Sequence, residues 1–130
     1  MPIEYHVIPR KNPQNRRAPA KFYASAVSTG ELTMRQLSKR IAEMSTISTA
    51  DTMAVLEAFV QIVPQEIADG KIVRLGDFGS FRLTIQSKGE ALEKNVNDKS
   101  ITGNTLHFNP GAEVDKVLDS LSYKKIKKKP

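Results

Sequence analysis

The chain reads as an α+β protein: an N-terminal β-ribbon, two helices, a small sheet and a third helix. Three observations give that class. Apolar residues recur at helical spacing over 34–44 and 53–67, and they alternate with polar residues over 80–86. Segments rich in Pro, Asn and Gly separate these runs. There is no internal repeat.

The elements follow in order. Ile3–Ile8 and Phe22–Val27 are short β-prone runs. The stretch Pro9–Ala20 between them holds Pro9, Pro13 and Pro19 with Asn12 and Asn15, which forbids regular structure and predicts a basic, mobile ribbon tip. Thr33 is placed to cap a helix, with Gln36 completing a capping box. Met34, Leu37, Ile41 and Met44 make one apolar stripe on that helix. Ser48 starts a second helix, with Asp51 favourable to its dipole. Met53, Leu56, Val60, Val63 and Ile67 form its stripe, and Val55, Phe59 and Ile62 widen it beyond one seam. A helix so broadly apolar needs cover on more than one side, which in so short a chain points to a second subunit. Pro64 predicts a kink near Val60, and Gly70 a stop.

Lys71–Leu75 is expected as a strand, Gly76–Gly79 as a turn and Ser80–Gln86 as a second strand. Residues 87–104 read as a flexible excursion or a hairpin, Thr105–Phe108 as a returning strand and Ala112–Leu121 as a third helix. The lysine-rich end is expected to be disordered by its charge.

Composition narrows the function. The net charge of +6 is uneven: five cations against Glu4 within residues 1–27, five lysines within 122–130, and a slightly acidic middle. Basic ends favour a polyanion such as nucleic acid, although lysine tails also serve solubility. With no Cys, disulfide and thiol chemistry are excluded. No apolar run reaches the roughly 18 residues of a membrane span, and Met-Pro-Ile-Glu-Tyr lacks the features of a signal peptide. The expectation is a soluble cytoplasmic protein without a membrane partner.

One motif ties these elements together. Gly76-Asp-Phe78-Gly79-Ser-Phe81 specifies a tight backbone turn presenting rings inward, which alone is a packing signature. Its setting is a capped helix, a long apolar helix, this turn, a polar excursion, and Phe108-Asn-Pro-Gly111 opening a helix. Over about residues 32–121 that order resembles the HU/IHF family of bacterial histone-like proteins, in particular longer HU-related members with an N-terminal extension. The resemblance implies an HU-like intertwined homodimer: helices at its base, a β-sheet saddle, and β-arms that wrap double-stranded DNA in the minor groove. It divides the chain into a β-ribbon extension (1–30), an HU-like DNA-binding domain (31–121) and a basic tail (122–130).

Gly76, Phe78, Gly79, Phe81, Phe108 and Gly111 match the family's structural positions, as do Leu37, Ile41, Leu56 and Phe59. Its DNA-contacting positions match poorly. Thr84 and Gln86 stand where the family places basic residues, and Asn109, Ala112 and Asp115 where lysines are usual. Residues 87–104 contain neither Pro nor Arg, so the Arg-Asn-Pro arm tip is missing. Arg10-Lys11-Asn12-Pro13 looks like that tip in a different part of the chain, and reads either as a DNA contact or as a solvated turn.

The expected DNA contacts are therefore Arg10, Lys11, Arg16, Arg17 and Lys21 on the ribbon, and Arg35 at the first helix. Arg74 and Arg82 beside the turn and Lys88, Lys94 and Lys99 in the excursion join them. So do the free N–H of Gly111 and the tail lysines Lys124, Lys125, Lys127 and Lys128. The function expected is sequence-tolerant DNA binding, with bending or compaction in the nucleoid. The alternative is an HU-fold protein of weakened DNA affinity that binds a protein partner. Single-strand or RNA binding is a third reading, disfavoured by few exposed aromatics.

Catalysis is not expected. His6 and His107 have no partner at metal-ligand spacing, no paired carboxylates stand out, and Gly76–Gly79 lacks the Lys-Ser/Thr of a phosphate-binding loop. No cofactor, metal or small-molecule substrate is implied.

Overall fold

The computed structural model describes residues 2–127. They fall into two compact units, one spanning Met34–Lys116, the other built from the residues up to Thr33 with those from Val117 onward.

In the first unit, α1 (Met34–Glu43) starts directly after Thr33, and α2 (Thr49–Ala68) is a 20-residue helix. Ser48 caps α2: its backbone is extended and its Oγ accepts from the Asp51 N–H at 3.1 Å. The helix runs through Pro64 to Ala68. Its end satisfies two orphan carbonyls at once, because Gly70 (φ +87°) donates to Ile67 and Lys71 donates to Glu66. A Lys71–Glu66 ion pair at 2.6 Å closes the same turn.

β3 (Val73–Arg74), β4 (Gly79–Ser87) and β5 (Ile101–Pro110) form an antiparallel sheet in that order. β3 is shorter than the expected strand, and β5 is longer, because pairing with β4 holds it from Ile101 to Pro110. The register puts Phe81 opposite Phe108 and Leu83 opposite Leu106 on one face, with Arg82 opposite His107 on the other. Residues Gly76–Phe78 form a 3₁₀ turn. Phe108 packs against Phe78 and Phe81 at centroid distances of 5.4 and 4.9 Å. A Cβ at Gly79 (φ +144°) would strike the Asn109 carbonyl and the Phe108 ring, and one at Gly111 would strike the Asp77 backbone. These glycines are there because backbone approaches backbone.

The excursion is the largest departure from expectation. Instead of a flexible segment or a β-arm, residues 88–100 fold back over two 3₁₀ turns, Glu93–Asn95 and Asp98–Ser100. Asn97 and Ser100 cap each other, and the buried Ser100 hydroxyl donates to Glu90 at 3.3 Å. Capping chemistry overrides the low apolar content that suggested flexibility. α3 (Ala112–Leu118) ends three residues earlier than expected, where the Ser120 hydroxyl takes the Val117 carbonyl.

In the second unit, β1 (Ile3–Arg10) and β2 (Lys21–Val27) pair as the expected ribbon, with Glu4 opposite Val27 and Arg10 opposite Lys21. Where the tail was expected to be disordered, its residues 123–126 are paired with β1. β6 (Tyr123–Lys125) adds to β1 in parallel, and Ile126 donates to the Tyr5 carbonyl at 2.8 Å. Backbone pairing outweighs lysine repulsion there, with Glu4 next to Lys124 in the register.

Among the described residues no apolar side chain is buried. The buried ones are Ser38, Thr52 and Ser100. Ser38 and Thr52 satisfy themselves by donating to the carbonyl one turn back. On α2, Val55, Phe59, Val60 and Ile62 are all more than two-fifths exposed.

Candidate nucleic-acid interface

The ribbon tip is more ordered than its composition suggests. Asn12 Oδ1 accepts from the Gln14 N–H at 2.9 Å, and its carbonyl accepts from Asn15. Asn15 repeats the pattern with Arg17 and Ala18. Two successive turns of this kind carry the chain from Arg10 back to Lys21.

That return places like charges together. Arg10 and Lys21 are direct partners in the ladder, so their Cβ atoms lie about 5 Å apart on one face. The ion pairs among the described residues are Lys71–Glu66 and Lys88–Glu90, and neither lies on the ribbon. Arg10, Lys11 and Lys21 line one concavity of about 430 Å³ with Asn12, Pro13, Ala18, Pro19 and Tyr23. No carboxylate lines it. Three cations and no carboxylate make the hollow electropositive, and their mutual repulsion is uncompensated. Arg16 and Arg17 lie on the exposed loop beside it.

Other expected residues are dispersed. Lys124 and Lys125 flank β1 at its far end, beside Glu4 and Tyr5, about 20 Å from Arg10 at strand rise. Lys127 lines a shallow groove with Val7. Lys128 lies outside the described residues.

In the helical unit, the polar face of the sheet carries Arg74 beside Ser80 and Arg82 beside His107. Thr84 and His107 are bonded to each other at 2.8 Å, and Gln86 donates to Thr105 at 2.9 Å. Those pairings join neutral groups to one another, and no ion pair is made by either arginine among the described residues. Arg74 also lines a concavity of about 300 Å³ with Ser80, Asn109 and Gly111.

Two expectations are corrected here. The Gly111 N–H is not free: it donates to the Phe78 carbonyl at 2.9 Å, so Gly111 serves close packing. Lys88 is partly neutralised by Glu90 at 3.7 Å. Lys94 and Lys99 sit on the two 3₁₀ turns and not on an arm, and Arg35 lies in the first turn of α1. Sequence reasoning missed Tyr23, Ala18 and Pro19 as walls of the ribbon hollow. The alternation Phe22-Tyr23-Ala24-Ser25 carried the signal for Tyr23, since it puts Tyr23 on the face of Lys21. No group of three metal-ligating side chains occurs among the described residues, and no helix is long and apolar enough to cross a membrane.

A family model described as an HU domain fused to a wHTH, Ig or glycine-rich motif matches residues 1–125. The chain belongs to this HU-HIG family. The match takes in the ribbon and β6 as well as the helical unit, where the sequence resemblance began only near residue 32. No curated protein matches the chain. Among solved structures it is similar to a candidate bacterial DNA-binding protein from Bacteroides vulgatus. That similarity has a TM-score of 0.65 at 8% identity and covers 98% of this chain and 50% of the other. The HU-HIG chain thus spans half the length of that neighbour, and the likeness between them is one of fold.

Proposed function

We propose that this HU-HIG chain binds double-stranded DNA with little sequence preference, as a homodimer, and bends or compacts it in the cytoplasmic nucleoid. The observation that carries the reading is the ribbon hollow, where Arg10, Lys11 and Lys21 converge with no carboxylate on its walls. Such a site takes phosphate oxygens and reads no base, which is the pattern of backbone-dominated binding. Arg74 and Arg82 on the polar sheet face supply a second phosphate contact. The solved neighbour's description as a candidate DNA-binding protein supports the same reading.

The homodimer rests on the uncovered apolar surface. A lone chain with Val55, Phe59 and Ile62 of α2 half exposed leaves unburied most of the apolar area that stabilises a fold. A second copy covers that face. The reading is one of binding and not of catalysis.

A salt titration with random duplex DNA tests it. Each neutralised phosphate contributes about 0.9 to the slope of log K against log salt, so the ribbon triad alone contributes roughly 2.7. Absence of binding at about 50 mM salt, with the dimer intact by sedimentation, sinks the proposal.

One observation favours the second reading, an HU-fold protein that binds another protein. Where the HU/IHF resemblance placed a DNA-gripping arm, the loop at 88–100 folds back and leaves Leu92 and Val96 half exposed. A flat salt dependence together with loss of partner binding on Leu92→Asp favours that reading.

A further inference from the structure

The two sheets expose four edges, and three carry features that discourage pairing. β6 has only three residues, two of them lysines, and β3 has two, one an arginine. β5 is long but contains Gly103, Asn104, Asn109 and Pro110, all poorly suited to strands. β2 has none of these devices. It is seven residues long, pairs only with β1 among the described residues, and reads Lys-Phe-Tyr-Ala-Ser-Ala-Val. Its single charge stands at one end, and Phe22 is 71% exposed. A long, uncharged edge is a template for another strand.

We infer that β2 pairs antiparallel with β2 of a second copy, about a two-fold axis at Ala24, joining two ribbons into one six-stranded sheet. The sequence of β2 selects both occupant and register. Directly opposed residues must share a face, so the axis has to pass through a residue. Ala24 is the midpoint of the strand, and only an axis there pairs all seven residues. In that register the bulky Phe22 lies beside the partner copy's small Ala26, and Tyr23 beside Ser25. Lys21 meets Val27, so the two lysines stay about 20 Å apart, beyond a Debye length of about 8 Å at physiological salt. The strand is thus self-complementary in size and in charge. A foreign strand would have to match it by chance. The pairing uses the backbone edge of β2, whose Lys21 and Tyr23 also line the ribbon hollow, and it does not use the apolar face of α2.

The absence of cysteine gives a clean test in the full-length chain. Ala24→Cys brings two thiols together across the pair, with Cα atoms about 4.5–5.5 Å apart, within disulfide range. Val27→Cys holds them about 20 Å apart. Under mild oxidation without DNA, Ala24→Cys is expected to form a covalent dimer at least ten times faster than Val27→Cys. An equimolar mixture of Phe22→Cys and Ala26→Cys chains should cross-link where neither does alone. Phe22, Ala24 and Ala26 are exposed and Val27 is half-buried, so cysteine at these positions should leave the fold intact. Equal, slow rates for Ala24→Cys and Val27→Cys overturn the inference, as does cross-linking of Ala24→Cys mainly to a different polypeptide. As a second reading, Ala24→Lys sets two ammonium groups against each other and should abolish chemical cross-linking between ribbons. Undiminished cross-linking in that variant also overturns the inference.

Discussion

The two three-stranded sheets share a plan, a long antiparallel pair with a short third strand, yet they are held by different means. In the β3-β4-β5 sheet the turn is imposed by steric necessity: Gly79 and Gly111 lie where a Cβ would strike backbone, and Phe78 and Phe81 pack around Phe108. In the β2-β1-β6 sheet nothing comparable occurs. Its turn is built from Asn12 and Asn15 side chains, and its cations are left uncompensated. One sheet is fixed by close packing, and the other carries uncompensated charge at its tip. Substitutions at the turn of the first sheet should therefore act on stability, and at the tip of the second on binding.

The largest effect is expected at the scaffold turn. Gly79→Ala introduces a Cβ within 2.7 Å of the Phe108 ring at a φ of +144°. Strain of this kind costs about 1–3 kcal/mol before the overlap is counted, so a loss of about 3 kcal/mol is expected in urea unfolding. Gly89→Ala, which meets open space at an ordinary φ, should change stability by less than about 0.5 kcal/mol. Equal costs at the two sites would show that the turn is not glycine-imposed.

Next comes the ribbon. Replacing Arg10, Lys11 and Lys21 together by Ala should lower affinity for random duplex DNA roughly 100-fold at low salt and flatten the salt slope by about 2.7. Stability should hold or rise slightly, since the Arg10–Lys21 repulsion is relieved. Unchanged affinity would make the ribbon structural and shift the weight to the polar face of the β3-β4-β5 sheet. Arg74→Ala with Arg82→Ala probes that face directly. A loss of about tenfold and a slope change of about 1.8 are expected. If this pair outweighs the ribbon triad, the division of labour between the sheets is reversed.

How far the sequence foretold this division follows from the kind of signal each region carries. The scaffold was legible because its signals are local and steric: helix stripes from Met34 to Ile67, the Ser48 cap, the Gly70 stop, and alternation from Ser80 to Gln86. The ribbon was legible as a hairpin with a basic tip. What was not legible depends on partners distant in sequence or on side chains bonding their own backbone. β6 forms because Tyr123–Lys125 meets β1 more than a hundred residues away, against the repulsion its lysines suggest. The loop at 88–100 folds because Asn97 and Ser100 cap each other, which its polar composition disguised as flexibility. Gly111 was legible as a glycine needed by the turn, but only the fold shows its N–H already donated to Phe78.

The smallest effect tests how firmly the ribbon tip is set before it meets a ligand. Asn12 is not one of the cations, yet its Oδ1 accepts the Gln14 N–H at 2.9 Å and thereby fixes the turn that follows Lys11. Asn12→Ala removes that bond at an exposed site, where a local hydrogen bond contributes about 0.5–1 kcal/mol. The charges remain, so the number of phosphates neutralised, and with it the salt slope, should not move. What changes is the cost of gathering Arg10, Lys11 and Lys21 around one anion. That cost now falls due on binding, and affinity should drop about threefold at every salt concentration. A parallel shift of the titration line identifies Asn12 as a positioning residue. A change in slope would instead mean that loosening the tip alters which cations engage, and that the hollow is assembled by DNA and not preformed.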